Sequence, residues 1–412
     1  MKKEVIIVGA GVIGCSIAYH LARRGVPSQI VDKEGIADRA SGKAWAIWEY
    51  PPAVCSTLNF VWTESVLSIL ADPEFDSARA QMHDERQSMF ELHWLGFHRV
   101  PEAILEIQER GGIDVGYREL PFMRLALSEE VEEVYRQGLS EVRSAGCREG
   151  GWLTRDEARE VFPGISPRVR GGACFPGFKV EPYRYTLCLA QAAEKMGCTI
   201  RSGEVVGFGS KGSRVSSVVL ASGAEIEADE VVLATGPWTG KASAWLGKEL
   251  PVEIHREQCI RVELPRPFPP YGIWTTKGAI IPEIDNKVIL HSFAGWPDLA
   301  TGLDCSLTEE NKLSAIEIAT ELFPEIEKGS VVEHRGDLEA WAPVLRMRPV
   351  LGRHPAWENA YLASRFGTFG FALSLSAGEL MADLIVGGGR GPYRVERLLE
   401  FLSCTELKDD ER

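Results

Sequence analysis

The chain has no run of 18 consecutive apolar residues, so no segment of it reads as a membrane-spanning helix. It has no C-x-x-C pair. Its nine cysteines are odd in number and stand apart, at 15, 55, 147, 174, 188, 198, 259, 305 and 404. That pattern argues against a disulfide framework or a zinc site and fits a reducing compartment, the cytoplasm. The eight histidines show no H-E-x-x-H or comparable spacing, so no metal is expected. Basic residues are in deficit: 45 Lys and Arg against 59 Asp and Glu leave a net charge of −14. An acidic surface argues against nucleic acid and anionic membranes as partners. Internal repeats and low-complexity tracts are also missing. What remains is 45% hydrophobic and 25% charged, an ordinary globular composition, and 412 residues suit two domains better than one core.

The N-terminus carries the clearest local signal. Two lysines, an apolar stretch and Cys15 after Ile13-Gly14 have some likeness to a lipoprotein leader. Glu4 and three regularly spaced glycines argue for another reading. Residues 4–8 (Glu-Val-Ile-Ile-Val) are short and β-branched, as a buried strand is. Gly9-Ala10-Gly11-Val12-Ile13-Gly14 follows, a G-x-G-x-x-G. Then Ile17, Ala18, Leu21 and Ala22 recur at helical spacing, and Arg23-Arg24-Gly25 ends the helix with cations and a glycine. Gln29-Ile30-Val31 forms a second strand closed by Asp32, 23 residues after Gly9. This strand–turn–helix–strand with a terminal acid is the arrangement that binds dinucleotides. Gly9 serves the tight turn, Gly11 the approach of a pyrophosphate and Gly14 the packing of helix on strand. The helix N-terminus favours the phosphates. Asp32 is placed to accept from an adenosine ribose, and its charge disfavours a 2′-phosphate.

Two later units point back to the same place. Residues 228–238 run as a buried strand into Ala234-Thr235-Gly236-Pro237-Trp238, after a helix at 182–196 and β-like alternation at 203–208 and 214–220 with a turn at Ser222-Gly223. Near the end, strand 359–363 leads through Gly367-Thr368-Phe369-Gly370 into an apolar helix at 373–386. An NAD dehydrogenase has no need of that C-terminal loop; a longer ligand such as FAD does.

Taken together, these stretches resemble the D-amino-acid oxidase/glycine oxidase family of FAD enzymes over nearly the whole chain. Ala40-Ser41-Gly42-Lys43-Ala44 resembles the family's loop beside the flavin diphosphate, and Val180-Glu181-Pro182 its V-x-P entry to a second βαβ segment. Val205 matches a position whose backbone meets adenine. Ala234–Trp238 is similar to A-x-G-x-W, and Pro349-Val350-Leu351-Gly352 to P-x-I-G. The resemblance implies an α/β fold with a discontinuous Rossmann-like FAD-binding domain, at 1–82, 152–237 and 338–412. A substrate domain with a mixed antiparallel sheet takes 83–151 and 238–337. It carries FAD contacts to Gly9, Gly11, Val12, Ile13 and Gly14, and to Asp32, Lys33, Ser41 and Gly42. It extends them to Val205, Thr235 and Gly236, and to Gly367, Phe369 and Gly370. Some relatives attach flavin to a cysteine in the loop matching 341–352; that loop has none here, so non-covalent FAD is expected.

The resemblance also implies the chemistry: hydride leaves a C–H beside an amine nitrogen for the flavin, and the imine hydrolyses. Oxygen or another acceptor then takes the electrons. The family's carboxylate-anchoring Arg falls on Trp341, counting back from Pro349, and its Tyr on Ala279. Arg346 or Arg348 is the replacement anchor if the loop is re-registered, and otherwise a surface or flavin-phosphate partner, with Arg365 a weaker candidate; Trp341 and Trp45 are candidates for a cation–π contact to a substrate ammonium. Trp45, Trp48, Trp274, Trp341, Phe366 and Phe369 are core or an apolar pocket wall. His291 is a structural histidine or a polar substrate contact. Two alternatives keep the fold: oxidation of a 2-hydroxy acid or polyol with His291 as base, or a flavin subunit of a multi-subunit dehydrogenase.

Overall fold

Val5–Val8 is buried on both faces, as its unbroken β-branched run requires, and pairs in parallel with a strand on each side. Around it the computed structural model builds a six-stranded sheet. The spatial order is Val350–Arg353, Ala360–Ser364, Glu230–Leu233, Val5–Val8, Ser28–Asp32 and Thr199–Ser202. All neighbours are parallel except the edge strand Val350–Arg353. The structure describes residues 4–51, 76–144, 146–343, 348–387 and 402–403, with side chains of the helix Asp76–Phe97 from residue 87.

Period-two alternation sends Val5 and Ile7 to one face and Ile6 and Val8 to the other. Helices Val12–Arg23, Pro182–Lys195 and Ser374–Val386 cover the first face. A small antiparallel sheet, Val205–Lys211, Arg214–Leu220 and Glu225–Glu227, covers the second. Helix Ser374–Val386 is apolar nearly all round because it is buried nearly all round, and Gly387 closes it in the left-handed region at φ 73°.

A second, eight-stranded sheet carries the other half. Its order is Ser330–Trp341, Glu253–Glu263, Lys287–Ser292, Gly278–Pro282, Gly272–Trp274, Phe122–Ala126, Gly171–Phe175 and Gly151–Thr154. Only Gly272–Trp274 and Phe122–Ala126 run parallel. Helix Glu309–Leu322 packs on one face through Ala315, Ala319 and Leu322. The opposite face is aromatic, with Phe122, Trp274, Phe293, Trp296 and Trp341. It looks toward the carboxyl ends of the parallel strands, where open α/β sheets bind their ligands.

The mixed two-sheet α/β architecture expected from the sequence is present. Two of the expected domain pieces divide differently. Strands Gly151–Thr154 and Gly171–Phe175 fall in the stretch expected to bind the dinucleotide, yet they extend the large sheet through backbone pairing with Phe122–Ala126. Helices Asp76–Phe97 and Val100–Gly111 lie in the stretch expected to bind substrate from residue 83. Their Leu92, Ile104 and Ile107 instead join the core around Val12–Arg23.

Candidate functional site

The turn after the first strand is built for close backbone approach. Gly9 has φ 114°, and a Cβ there would stand 2.3 Å from the Ala234 carbonyl oxygen. A Cβ on Gly14 would stand 2.0 Å from the Gly9 oxygen, so helix and turn touch backbone to backbone. No acidic side chain occupies the first turn of Val12–Arg23, leaving the dipole open to an anion. The Ser41 hydroxyl accepts from the Val12 N–H at 2.9 Å and so brings the second loop to the same helix end. Asp32 Oδ2 accepts from Ala10 N–H at 2.8 Å, and its Oδ1 from Glu34 and Gly35 N–H at 2.8 and 3.0 Å. Of about four lone-pair sites on a carboxylate, three are thus spent on the loop itself. Lys33 and Arg39 lie over the Trp238 ring at 5.3 and 5.5 Å.

One continuous cavity of about 760 Å³ runs from this turn to the aromatic face of the large sheet. Gly9, Gly11, Val12 and Ile13 line it, as do Asp32, Lys33 and Ser41. Val205, Thr235 and Gly236 line its nucleotide end, and Gly367, Phe369 and Gly370 its middle. Three distant stretches expected to meet around one ligand therefore do meet. Gly14 and Gly42 do not line the cavity. A Cβ on Gly42 would meet the Ala37 oxygen at 2.1 Å, so both glycines shape the loops from behind.

The far end is the chamber between the turn Gly367–Phe369 and the large sheet. Trp45, Trp274, Phe293 and Trp296 wall it, and Trp274 stacks on Phe293 at 5.7 Å and 8°. His93 meets Phe369 edge-on at 5.0 Å, and burial pushes its pKa down to about 3. His291 lines the chamber too. Its Nδ1–H donates to the Gln258 carbonyl at 2.7 Å, which leaves Nε2 as the acceptor, 3.5 Å from Glu257. Burial pushes the His291 ring down to about 4, so it is a neutral imidazole.

Glu257, Asp337 and Glu339 also line the chamber, and sequence reasoning missed all three. They share one face of the paired strands Glu253–Glu263 and Ser330–Trp341, where Glu257 sits opposite Asp337 and His255 opposite Glu339. Asp337 is held by Lys43 at 2.8 Å. Glu257 accepts from the Trp296 indole N–H at 2.9 Å, and Glu339 from that of Trp341 at 3.1 Å. Burial raises the Glu257 carboxyl. Burial and then the neighbouring Glu257 raise Glu339 well above the usual carboxylate range. The available signal was alternation of charge along both strands: Glu253, His255, Glu257 on one and Asp337, Glu339 on the other.

Other candidates fall outside the chamber. Trp341 is buried behind the wall: it stacks on His255 at 5.3 Å and fills the space where a Gly367 Cβ would stand, at 2.8 Å. Trp48 is core, edge-on to Tyr185 and Phe371. Arg348 is half-buried but does not line the cavity, because the chain there has already turned toward the edge strand Val350–Arg353. Arg346 lies outside the described residues. Arg365 does line the cavity, at φ 61°, with its guanidinium donating to the Pro251 carbonyl. Ala279, at the expected tyrosine position, is buried between Trp274 and His291 in the sheet register. Cys15, the residue of the leader-like reading, is buried in Val12–Arg23 with its Sγ on the Ala10 carbonyl at 3.4 Å. Among the described residues there is no helix long and apolar enough to cross a membrane and no cluster that could hold a metal ion.

A glycine-built turn, a helix dipole and a single long cavity ending at an aromatic sheet define a two-sheet nucleotide-dependent oxidoreductase. The family model described as FAD dependent oxidoreductase (DAO) matches residues 4–384, and the chain belongs to that family. Glycine oxidase of Geobacillus kaustophilus is 26% identical over 398 residues, covering 93% of each chain. The hydrogen cyanide synthase subunit HcnC of Pseudomonas aeruginosa is 26% identical over 391 residues, 93% of this chain and 92% of its own. In fold, glycine oxidase of Bacillus cereus superposes with a TM-score of 0.81 at 22% identity over 100% of both chains. Iminodiacetate oxidase of Chelativorans superposes at 0.76 and 22%, over 96% of this chain and 98% of that one. The protein is an FAD-dependent oxidoreductase.

Proposed function

We propose that the enzyme oxidises an amine at the carbon beside its nitrogen, with FAD held without a covalent bond along the cavity. The relatives named glycine oxidase and iminodiacetate oxidase support that substrate class. So does the chamber: its aromatic walls and acidic face suit a nitrogen base. Bound FAD supplies the two-electron acceptor for hydride from the substrate carbon. The residues do the rest. Gly9, Gly11, Val12, Ile13 and Ser41 hold the diphosphate at the helix end, with Gly14 and Gly42 bracing the loops behind them. Asp32 and Lys33 would hold the ribose, and Val205, Thr235 and Gly236 the adenine. Gly367, Phe369 and Gly370 would hold the flavin, with Trp341 packed against Gly367. Trp45, Trp274 and Phe293 exclude water and orient the substrate carbon.

The carrying observation is the lining of the chamber where the long cavity ends: aromatic walls at Trp45, Trp274 and Phe293 beside the carboxyl groups of Glu257 and Glu339. That lining favours a substrate whose nitrogen carries positive charge. A 2-hydroxy acid would bring its own carboxylate against this acidic face, which makes it the weaker of the two readings. The unpaired Cys15, Cys188 and Cys198 fit the reducing cytoplasm as the site of action. An anaerobic screen of flavin bleaching against small amines, amino acids and 2-hydroxy acids tests the assignment. Amines are expected to bleach the flavin; bleaching by hydroxy acids alone would refute it. Peroxide in aerated buffer then identifies oxygen as the acceptor.

A further inference from the structure

We propose that Glu257 and Glu339 receive the substrate as an ammonium ion and take a proton from it. This deepens the reading above and rests on it. Three separate observations lead here. First, the two carboxylates sit on adjacent strands, diagonal in register and on one face, within reach of a shared guest. Each accepts from a tryptophan N–H, and neither has a fixed cation among the described residues. Second, Glu257 keeps 20% of its side-chain surface open, and that surface faces the chamber. Third, Trp45 and Trp274 wall the same chamber with ring centroids 5.2 Å apart, which brings aromatic surface beside the two carboxylates. Aromatic surface beside carboxylates favours a cationic guest.

The rest of the charge inventory agrees. Of the cations lining the cavity, Lys33, Arg39 and Lys241 belong to the nucleotide end, Lys43 is committed to Asp337, and Arg365 reaches the Pro251 carbonyl. Glu49 is paired with Arg124 at 2.8 Å. The other groups facing the pair are His291, neutral; His255, bonded to Glu253 at 2.7 Å; and Asp298, held by Arg256 at 2.8 Å. Neither Glu257 nor Glu339 is thus ion-paired to a Lys or Arg among the described residues. Burial and mutual repulsion hold one proton on the pair, which leaves a single carboxylate to meet the ammonium. One N–H bond then breaks and one O–H bond forms. The amine keeps its lone pair, and the proton leaves to water with the product.

The test uses flavin-loaded enzyme and two small probes that it cannot oxidise, tetramethylammonium and acetate, followed by perturbation of the flavin absorbance. Tetramethylammonium is expected to bind, with affinity at least tenfold lower in E257Q and in E339Q; acetate is expected to bind no better than a hundredfold more weakly than the cation. Glutamine still accepts from Trp296 or Trp341, and flavin content of each variant reports that it folds. Under anaerobic conditions the bleaching rate with ethylamine should rise with pH in the native enzyme and lose that limb in E257Q. Unchanged cation affinity in both variants, or preferential acetate binding, overturns the proposal even if amines bleach the flavin. If the cation binds as expected and no amine bleaches, the receptor stands and the assignment of amine oxidation fails instead.

Discussion

Gly14 shows how much one missing atom decides. A Cβ at this position meets a backbone oxygen at 2.0 Å, and no rotamer relieves that contact. Gly14→Ala should cost about 1–3 kcal/mol by overpacking and leave most of the protein without flavin. Urea unfolding and the flavin absorbance after gel filtration check both parts; full flavin content would show that the turn tolerates the methyl group. The glycines were legible in the sequence because their function is steric and local. Glu257 and Glu339 were not, because a charged residue at every second strand position reads as a solvent-facing edge. Only the neighbouring sheet, closing over that face, turns the alternation into a buried acidic chamber. Between core and pocket wall the sequence left Trp341 open for the same reason: the direction of its burial depends on Gly367, which is 26 residues further on.

At the scale of the element, strand Gly278–Pro282 is fastened at its end by Glu283. This carboxylate is 2% exposed and lies near Lys179 at 3.8 Å, Arg335 at 3.7 Å and Arg261 at 2.5 Å. Burial alone would raise its pKa, but the three cations outweigh burial and hold it below the usual value. Its contribution to stability is therefore present above the ordinary carboxylate pKa and lost as pH falls through the depressed one. Glu283→Gln leaves three cations crowded and should cost about 3–5 kcal/mol at neutral pH. The difference from the native enzyme should shrink in acid; a constant difference from pH 7 to pH 3 in urea titrations would contradict this account. Element type and extent were largely readable. Helices expected at 182–196 and 373–386 are found at Pro182–Lys195 and Ser374–Val386, because apolar spacing marks them. Their destination was not readable. An amphipathic helix records that it has a buried face, not which sheet or helix covers it; Val100–Gly111 buries Ile104 and Ile107 in the core around Val12–Arg23.

For the whole molecule, the long cavity makes the ligand part of the architecture. A group that touches the N-terminal turn, the strand end at Thr235 and the turn at Gly367 adds binding energy to folding. Stripping FAD should lower the melting temperature, and restoring it at one hundred times its Kd should return about 2.7 kcal/mol. Calorimetry with and without added FAD checks this; identical curves would mean that the nucleotide bridges nothing.

Trp341 gives this joining of halves a lasting consequence. The residue belongs to a strand that walls the substrate chamber, yet its ring occupies the only space a side chain at 367 would need. A change in this strand therefore carries through to the turn at Gly367, and a change in the turn to the chamber wall.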